Sequence, residues 1–255
     1  MSSFEDTLND TVPGRIFLSS LQKEYQRSEE YLRTQIEERA AAFISNRVAR
    51  AVSEYLYSDV PEAVTREDFK VDLDRNLALA LEHLVFKSIP FDSPQVHYGD
   101  LTRFRNVSIF NRVPVSTLPG GAFWTAPITG PKSDTWRGRS SNKIRSTIIF
   151  NTKLVRLAQI DGLKDWINLI NLAPEKNSGK NYPDWTAISY QYDAVFLSPA
   201  GLLLAHPHLS QFPFHTVDGT GVTHSQSGPY PGVGEWSAVS TAWMRVPCDA
   251  RIEPS

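Results

Sequence analysis

Residues 15–58 read RIFLSSLQKEYQRSEEYLRTQIEERAAAFISNRVARAVSEYLYS, and this stretch decides the N-terminal part of the fold. It contains neither proline nor glycine. Apolar residues recur in it at steps of three and four, the spacing of one face of an α-helix. The ten positions are Leu18, Leu21, Tyr25, Leu32, Ile36, Ala40, Ile44, Val48, Val52 and Leu56. The pattern predicts a long amphipathic helix. Four members of its apolar stripe are the candidate interface residues: Leu21, Tyr25, Leu32 and Ile36.

The length of that helix is the main reason to predict an assembly. An unbroken helix over this stretch would be about 65 Å long, whereas a compact chain of 255 residues is about 45–50 Å across. The apolar stripe of such a helix would have to be covered by another molecule. The alternative is a pair of helices folded on each other, with the break near Ser28 or near Ser45-Asn46, because helices beyond about 25 residues are uncommon in globular domains.

The whole chain is predicted to belong to the α+β class. Long amphipathic helices occupy a helical region at 1–90, and a mixed, mainly antiparallel β body follows at 91–255; the alternative is one continuous domain. One short helix is inserted in the body. Prolines and glycines concentrate in two long arms, 111–142 and 207–234, which we expect to wrap around neighbouring subunits.

Individual elements follow from local patterns. The helical region is expected to end with a second helix, Thr65–Lys87. β-branched residues predict a strand over Ile144–Phe150, and alternation predicts partial strand character from Arg103 to Phe110. The clearest alternation lies at Thr186–Leu197. Three further elements are predicted: a returning strand at Leu202–His206, a last strand at Glu235–Val246, and a short helix from an Asp161 cap to Leu172.

Composition limits the classes of function. The net charge is −2, which argues against a protein that coats nucleic acid. The single cysteine, Cys248, excludes an intramolecular disulfide framework. The N-terminus lacks the basic and apolar regions of a signal peptide, and no apolar run has the length of a membrane span. We therefore expect a soluble protein, located in the cytoplasm or in a particle assembled there, with no membrane partner.

A histidine cluster, His206, His208, His215 and His224, is the candidate metal site, with the first three as the proposed ligands. Histidines at i and i+2 of an extended segment project to one side, as in many β-sheet metal sites. The context resembles the first metal motif of cupins, although Gln211 stands near the glutamate position of that motif and no second motif follows. This site would hold a divalent transition metal and make the protein a metal-dependent enzyme.

A basic aromatic segment at 136–145 offers a different function. It contains Trp136, Arg137 and Arg139 and is followed by Lys143 and Arg145; further arginines stand at Arg103, Arg105 and Arg112. Arginine and tryptophan together can stack on bases and clamp phosphates. They can equally pair with carboxylates of a neighbouring subunit, so Trp136, Arg137 and Arg139 are also candidate interface residues.

The preferred prediction is a non-enzymatic structural subunit without a cofactor. The chain has no GxSxG elbow, HExxH motif or Walker loop. Six tryptophans, most of them late in the chain, suit either a core or interface anchors. The expected partners are copies of the chain and neighbouring structural proteins in a symmetric assembly. Neck, tail and shell components of virions combine a long helix, a β body and extended arms in this way, which is an analogy of architecture.

Overall fold

A computed structural model describes residues 4–58, 60, 62–66, 68–136, 143–207 and 229–254. The chain is α+β, as the sequence predicts. Its helices are α1 (Phe4–Asn9), α2 (Val12–Arg27), α3 (Glu29–Tyr57), α4 (Glu62–Thr65), α5 (Arg75–Lys87), α6 (Leu163–Leu172), α7 (Trp185–Gln191) and α8 (Pro199–Leu204). Its strands are β1 (Gln95–Tyr98), β2 (Phe123–Gly130), β3 (Ser133–Asp134), β4 (Arg145–Ile149), β5 (Leu157–Ile160), β6 (Pro174–Asn177), β7 (Lys180–Pro183), β8 (Ala194–Leu197), β9 (Ser240–Trp243) and β10 (Arg251–Pro254).

The long N-terminal stretch is two helices, and the break falls at Ser28. Ser28 is extended (φ −164°), and its backbone N–H donates to the carbonyl of Glu24 while its hydroxyl accepts from the N–H of Tyr31. One residue therefore ends α2 and begins α3. The two helices pack along each other, and α3 bends at the non-helical Arg39. Neither helix exceeds about 45 Å, so their length no longer requires cover from another molecule.

The predicted interface stripe faces inward. Leu21 and Leu32 are completely buried, and Tyr25 and Ile36 are partly buried against the same core. These side chains close the seam where α2 and α3 meet the rest of the chain. As folded, Leu21 and Leu32 offer no surface to a partner.

One eight-stranded sheet forms the β body. Its strand order is β10-β4-β1-β2-β9-β8-β5, with β3 added to β2. All of these pairs are antiparallel except β5 with β8, which are joined through α6 and α7. A separate hairpin, β6–β7, occupies the segment 174–183.

Two predicted strands are wrong because capping residues start short helices there. In Thr186–Leu197, the carboxylate of Asp184 accepts from the N–H of Ala187 and begins α7; only Ala194–Leu197 is a strand. In Leu202–His206, the hydroxyl of Ser198 accepts from the N–H of Gly201, and Pro199 takes the first turn of α8. Proline in a first turn and serine at the cap are typical of a helix start.

Other boundaries shift. The helix predicted at Thr65–Lys87 is α5. It begins at Arg75 rather than Thr65, because the carboxylate of Asp74 caps the N–H groups of Asn76 and Leu77. The segment 103–110 contributes one isolated bridge, Phe110 to Gly120. The last predicted strand shortens to β9, and β10 follows it. Strand β4 and helix α6 lie where the sequence predicts them, but the predicted Asp161 cap is wrong: Gly162 is the N-cap of α6, and no side chain caps it.

Both faces of the sheet are covered. Helices α2, α3, α5 and α8 share one buried cluster with residues of the sheet such as Val195 and Ala242. Their chain neighbours Ala194 and Trp243 belong to a second cluster, as the alternation of a strand requires. The first cluster therefore joins residues of 1–90 to residues of 91–255. None of the helices in the described residues is long and apolar enough to cross a bilayer.

Candidate functional site: a tryptophan-lined pocket

A surface pocket of about 270 Å³ is walled by three of the six tryptophans. Its lining consists of Leu118, Trp124, Trp136, Glu235, Trp236, Ser237, Ala238 and Ser240. The rings of Trp124 and Trp236 meet edge to face, with centroids 4.9 Å apart and planes at 68°, an arrangement that aromatic pairs prefer. The other three tryptophans, Trp166, Trp185 and Trp243, are core residues with at most 1% exposure. We call this the tryptophan pocket.

A buried carboxylate fixes the position of Trp136. Oδ1 of Asp134 accepts the backbone N–H of Trp136 at 2.9 Å, and Oδ2 accepts the hydroxyl of Tyr98 at 2.7 Å. The guanidinium of Arg145 lies 3.5 Å from the same oxygen, and the Asp134 side chain is only 1% exposed. The sheet creates this meeting point because Tyr98 and Arg145 are register partners on β1 and β4.

The surroundings of Tyr98 keep its phenol protonated, so that it can donate a hydrogen bond to Asp134. Burial raises the pKa of the Tyr98 phenol, and the Asp134 carboxylate that it contacts raises it further. The phenol therefore stays protonated at physiological pH. A buried carboxylate is costly unless donors satisfy it, so Tyr98, Arg145 and the Trp136 amide hold Asp134 together as one unit. Trp136 extends from this unit into the tryptophan pocket.

The opposite wall is held by residues 116–118, which precede β2. The indole N–H of Trp236 donates to the carbonyl of Thr117 at 3.1 Å, and the Thr117 hydroxyl donates to the carbonyl of Val233. The hydroxyl of Ser116 donates to the exposed carboxylate of Glu235. The segments 116–118 and 233–236 therefore form one braced wall, with a negative charge at its rim.

This arrangement is suited to binding. Its walls are indole rings, and its rim carries the carboxylate of Glu235, which accepts from the Ser116 hydroxyl. Indole surfaces bind apolar, proline-containing and cationic groups.

Of the predicted metal ligands, only His206 lies in the described residues; His208 and His215 lie outside them, as does His224. His206 directly follows α8 rather than occupying a strand, and it is completely buried. Its Nε2 is 3.0 Å from the carbonyl of Leu202 and donates to it, and burial lowers the pKa of the imidazole to about 4. Within the described part of the chain, no group of histidines, cysteines and carboxylates forms a metal site.

Only some of the residues of the basic segment lie in the described part of the chain. Arg137 and Arg139 lie outside the described residues. The guanidinium of Arg145 contacts Asp134. Arg105 donates to the carbonyls of Pro247 and Ala250, and its guanidinium lies over the Phe104 ring, 4.6 Å from the ring centroid. Two of the arginines that could serve nucleic acid therefore support the fold.

Sequence reasoning identifies Trp136 but misses Trp124, Trp236 and Glu235. The signal in the sequence, an excess of tryptophan, does not separate Trp166, Trp185 and Trp243 from the three tryptophans that line the pocket, of which Trp236 is itself only 3% exposed. Comparisons with known proteins add no assignment: no family model matches the chain, and neither the curated proteins nor the solved structures include a match.

Proposed function

We propose that the protein is a non-enzymatic structural subunit that assembles with copies of itself, and that the tryptophan pocket is the acceptor in that contact. The carrying observation is the convergence of Trp124, Trp136 and Trp236 on one surface pocket with a braced frame. Tryptophan is enriched among the few residues that dominate binding energy at interfaces. Rigid anchors also lose little side-chain entropy when a partner binds.

The proposed donor is the segment 110–115, at the start of the first Pro/Gly-rich arm. Val113 is 97% exposed and Phe110 is 52% exposed, and Arg112 and Pro114 are also exposed. Valine and proline suit the indole walls. Arg112 suits the carboxylate of Glu235 at the rim, so the donor and acceptor are complementary in charge as well as in polarity.

Donor and acceptor are close enough in the chain to form one reciprocal interface. At most about 18 Å of chain separates Val113 from Leu118 in the pocket wall. In a twofold dimer the same surface serves both subunits, so each copy can insert its segment in the tryptophan pocket of the other. The tryptophan pocket and the segment 110–115, rather than the length of a helix, are therefore the reason to propose assembly.

Light scattering of the purified chain across a range of concentrations tests the proposal. We expect a dimer for the natural chain and a monomer for either Val113→Asp or Trp136→Ala. Leu154→Asp is the matched control, since Leu154 is an exposed aliphatic residue (56%) outside both surfaces, and it should leave the dimer intact. Circular dichroism confirms that each variant is folded.

Mixing the two defective variants gives a sharper test. Val113→Asp retains an intact pocket and Trp136→Ala retains an intact segment, so the mixture can form one working contact per pair. We expect the two variants to associate with each other although neither associates with itself. A natural chain that stays monomeric at every concentration, or a Val113→Asp chain that remains a dimer, would overturn the proposal.

A further inference from the structure

A second concave site lies between α2 and α3, and it shares no residue with the tryptophan pocket. This groove encloses about 290 Å³ and is lined by Ile16, Ser19, Ser20, Lys23, Glu24, Arg27, Arg47, Arg50, Glu54 and Val64. Four of these side chains are cationic and two are carboxylates, so the groove carries a net charge of +2 in a chain whose net charge is −2. Positive charge is therefore concentrated here against the balance of the whole protein.

Helix periodicity explains the concentration. Lys23 and Arg27 are one turn apart on α2, and Arg47, Arg50 and Glu54 follow one another at three- and four-residue steps on α3. Residues at these spacings share a face of their helix. The break at Ser28 folds α2 against α3 and brings the two rows to the sides of one groove.

One partly buried ion pair lies in the groove. Arg47 pairs with Glu24, and each side chain is only 19% exposed. The Arg47 guanidinium also lies over the Phe43 ring, with Cζ 5.3 Å from its centroid. Burial lowers the pKa of Arg47, and the positive charge of Arg50 lowers it further. Arg47 and Arg50, one turn apart on α3, therefore repel each other, and Glu24 pairs with Arg47 rather than with Arg50.

Three further cations line the groove, and Glu54 is its second carboxylate. In the part of the chain that the structure describes, Lys23, Arg27 and Arg50 form no ion pair, and Lys23 and Arg50 are exposed at the mouth of the groove. An anion in the groove would relieve their mutual repulsion and would meet arginine forks that match phosphate oxygens in geometry. The Ser19 hydroxyl on the same wall supplies a further donor.

We propose that this groove binds a compact, multiply charged ligand that carries phosphate groups. A singly charged anion would neutralise only part of the net charge. The groove, at about 290 Å³, accommodates a small phosphate compound. This site is independent of the proposed self-assembly, because its residues lie on α2, α3 and α4 and the tryptophan pocket lies on the sheet.

Calorimetric titration with pyrophosphate at fixed ionic strength tests the inference. We expect saturable binding to the natural chain, an affinity that falls as salt is raised, and at least about tenfold weaker binding for Arg50→Gln and for Lys23→Gln. Glutamine keeps helix propensity close to that of arginine and lysine. The matched control is Lys153→Gln, which removes one exposed cation outside the groove and should bind as the natural chain does.

Thermal denaturation supplies a second readout. Pyrophosphate should raise the midpoint of unfolding of the natural chain and of Lys153→Gln, because a ligand that binds only the folded state stabilises it. It should raise the midpoint of Arg50→Gln much less. The inference fails if sulfate at equal ionic strength gives the same rise as pyrophosphate, or if Arg50→Gln binds as tightly as the natural chain.

Discussion

The hydroxyl of Tyr98 donates a 2.7 Å hydrogen bond to Oδ2 of Asp134, and this contact ties the tryptophan pocket to the middle of the sheet. Tyr98 lies on β1, the neighbour of β2 and β4 in the strand order. Asp134 in turn carries the amide of Trp136. The position of one pocket wall is therefore set in part by the pairing of β1 with β4, neither of which lines the pocket.

Tyr98→Phe should weaken both the fold and the frame of the pocket. It removes a hydrogen bond to a buried charged group, so we expect the free energy of unfolding to fall by about 1.5–3 kcal/mol. We also expect a change in tryptophan fluorescence, because Trp136 loses part of its support. Urea denaturation followed by fluorescence measures both quantities. Tyr57→Phe, at a tyrosine that is 75% exposed, is the control and should change neither.

The pH dependence of stability should contain a contribution from His206. Burial lowers its pKa to about 4 in the folded chain, against 6.5 for an ordinary histidine. Between these values the unfolded state binds more protons, so stability falls as pH falls from 6.5 towards 4. Over the whole window we expect a loss of roughly 3 kcal/mol from this group. Denaturant titrations at several pH values measure it.

The variant His206→Phe isolates that contribution from the carboxylates, which also titrate in acid. Its stability at neutral pH should be lower, since the hydrogen bond to Leu202 is lost, but its slope between pH 6.5 and 4 should be shallower. His83→Gln, an exposed position on α5, should keep the slope of the natural chain. Equal slopes for the natural chain and His206→Phe would contradict the assignment.

Asp193 should be the carboxylate whose loss is most costly at the junction of β5, β8 and β9. Its Oδ1 is 2.7 Å from an Arg156 guanidinium nitrogen and 3.5 Å from one of Arg245, and its side chain is 11% exposed. Asp193→Asn keeps the shape but leaves two guanidinium groups facing a neutral amide. We expect a loss of about 2 kcal/mol in unfolding free energy, whereas Asp72→Asn, at an exposed carboxylate, should be neutral.

The same carboxylate gives a pH signature with a defined sign. Burial opposes the ionisation of Asp193, but the hydrogen bonds from Arg156 and the charge of Arg245 outweigh it and hold the pKa below its ordinary value. Its stabilisation is therefore complete at neutral pH and is lost as pH falls through the folded-state pKa. Asp193→Asn should reduce the acid sensitivity of the chain. An unchanged acid denaturation curve would contradict this role.

Gly201→Ala should destabilise the protein although position 201 lies inside helix α8. Helix propensity alone favours alanine over glycine by about 1 kcal/mol. A Cβ at this position would lie 2.1 Å from the backbone carbonyl oxygen of Ile160, so α8 would have to move away from β5. We expect a net loss above about 2 kcal/mol. Gly162→Ala is the matched control, because its Cβ would meet Leu204 at an ordinary 3.8 Å.

The sequence predicts those elements whose signal is local. Strand β4 follows from its β-branched residues, and α6 follows from the spacing of Leu163, Trp166 and Ile170. The strand predicted at 186–197 is wrong in its first part, where the structure has α7. A seven-residue helix and a strand can show similar patterns of apolar residues in the sequence. Burial of Trp185 and Ile188 with an Asp184 cap selects the helix, and Tyr190 is left 74% exposed. Tertiary packing overrides local alternation here.

The tryptophan pocket could be predicted only in part. Trp136 stands out in its basic segment, but Trp124 and Trp236 reach it through the pairing of β2 with β3 and with β9. Such register is a long-range property that periodicity does not contain. The break at Ser28 lies at one of the two positions that the sequence offers for a pair of helices. Packing of α2 on α3, rather than a proline or glycine, selects it.

The hydroxyl of Thr11 donates to the carbonyl of Leu203 across 192 positions of chain, and this contact has a consequence for biosynthesis. At ordinary rates of translation, roughly 10–40 s pass between the two residues leaving the ribosome. During that interval Phe17, Leu18 and their neighbours lack the α8 surface that buries them in the finished fold. A chaperone that shields the nascent N-terminal helices should therefore raise the yield of native protein.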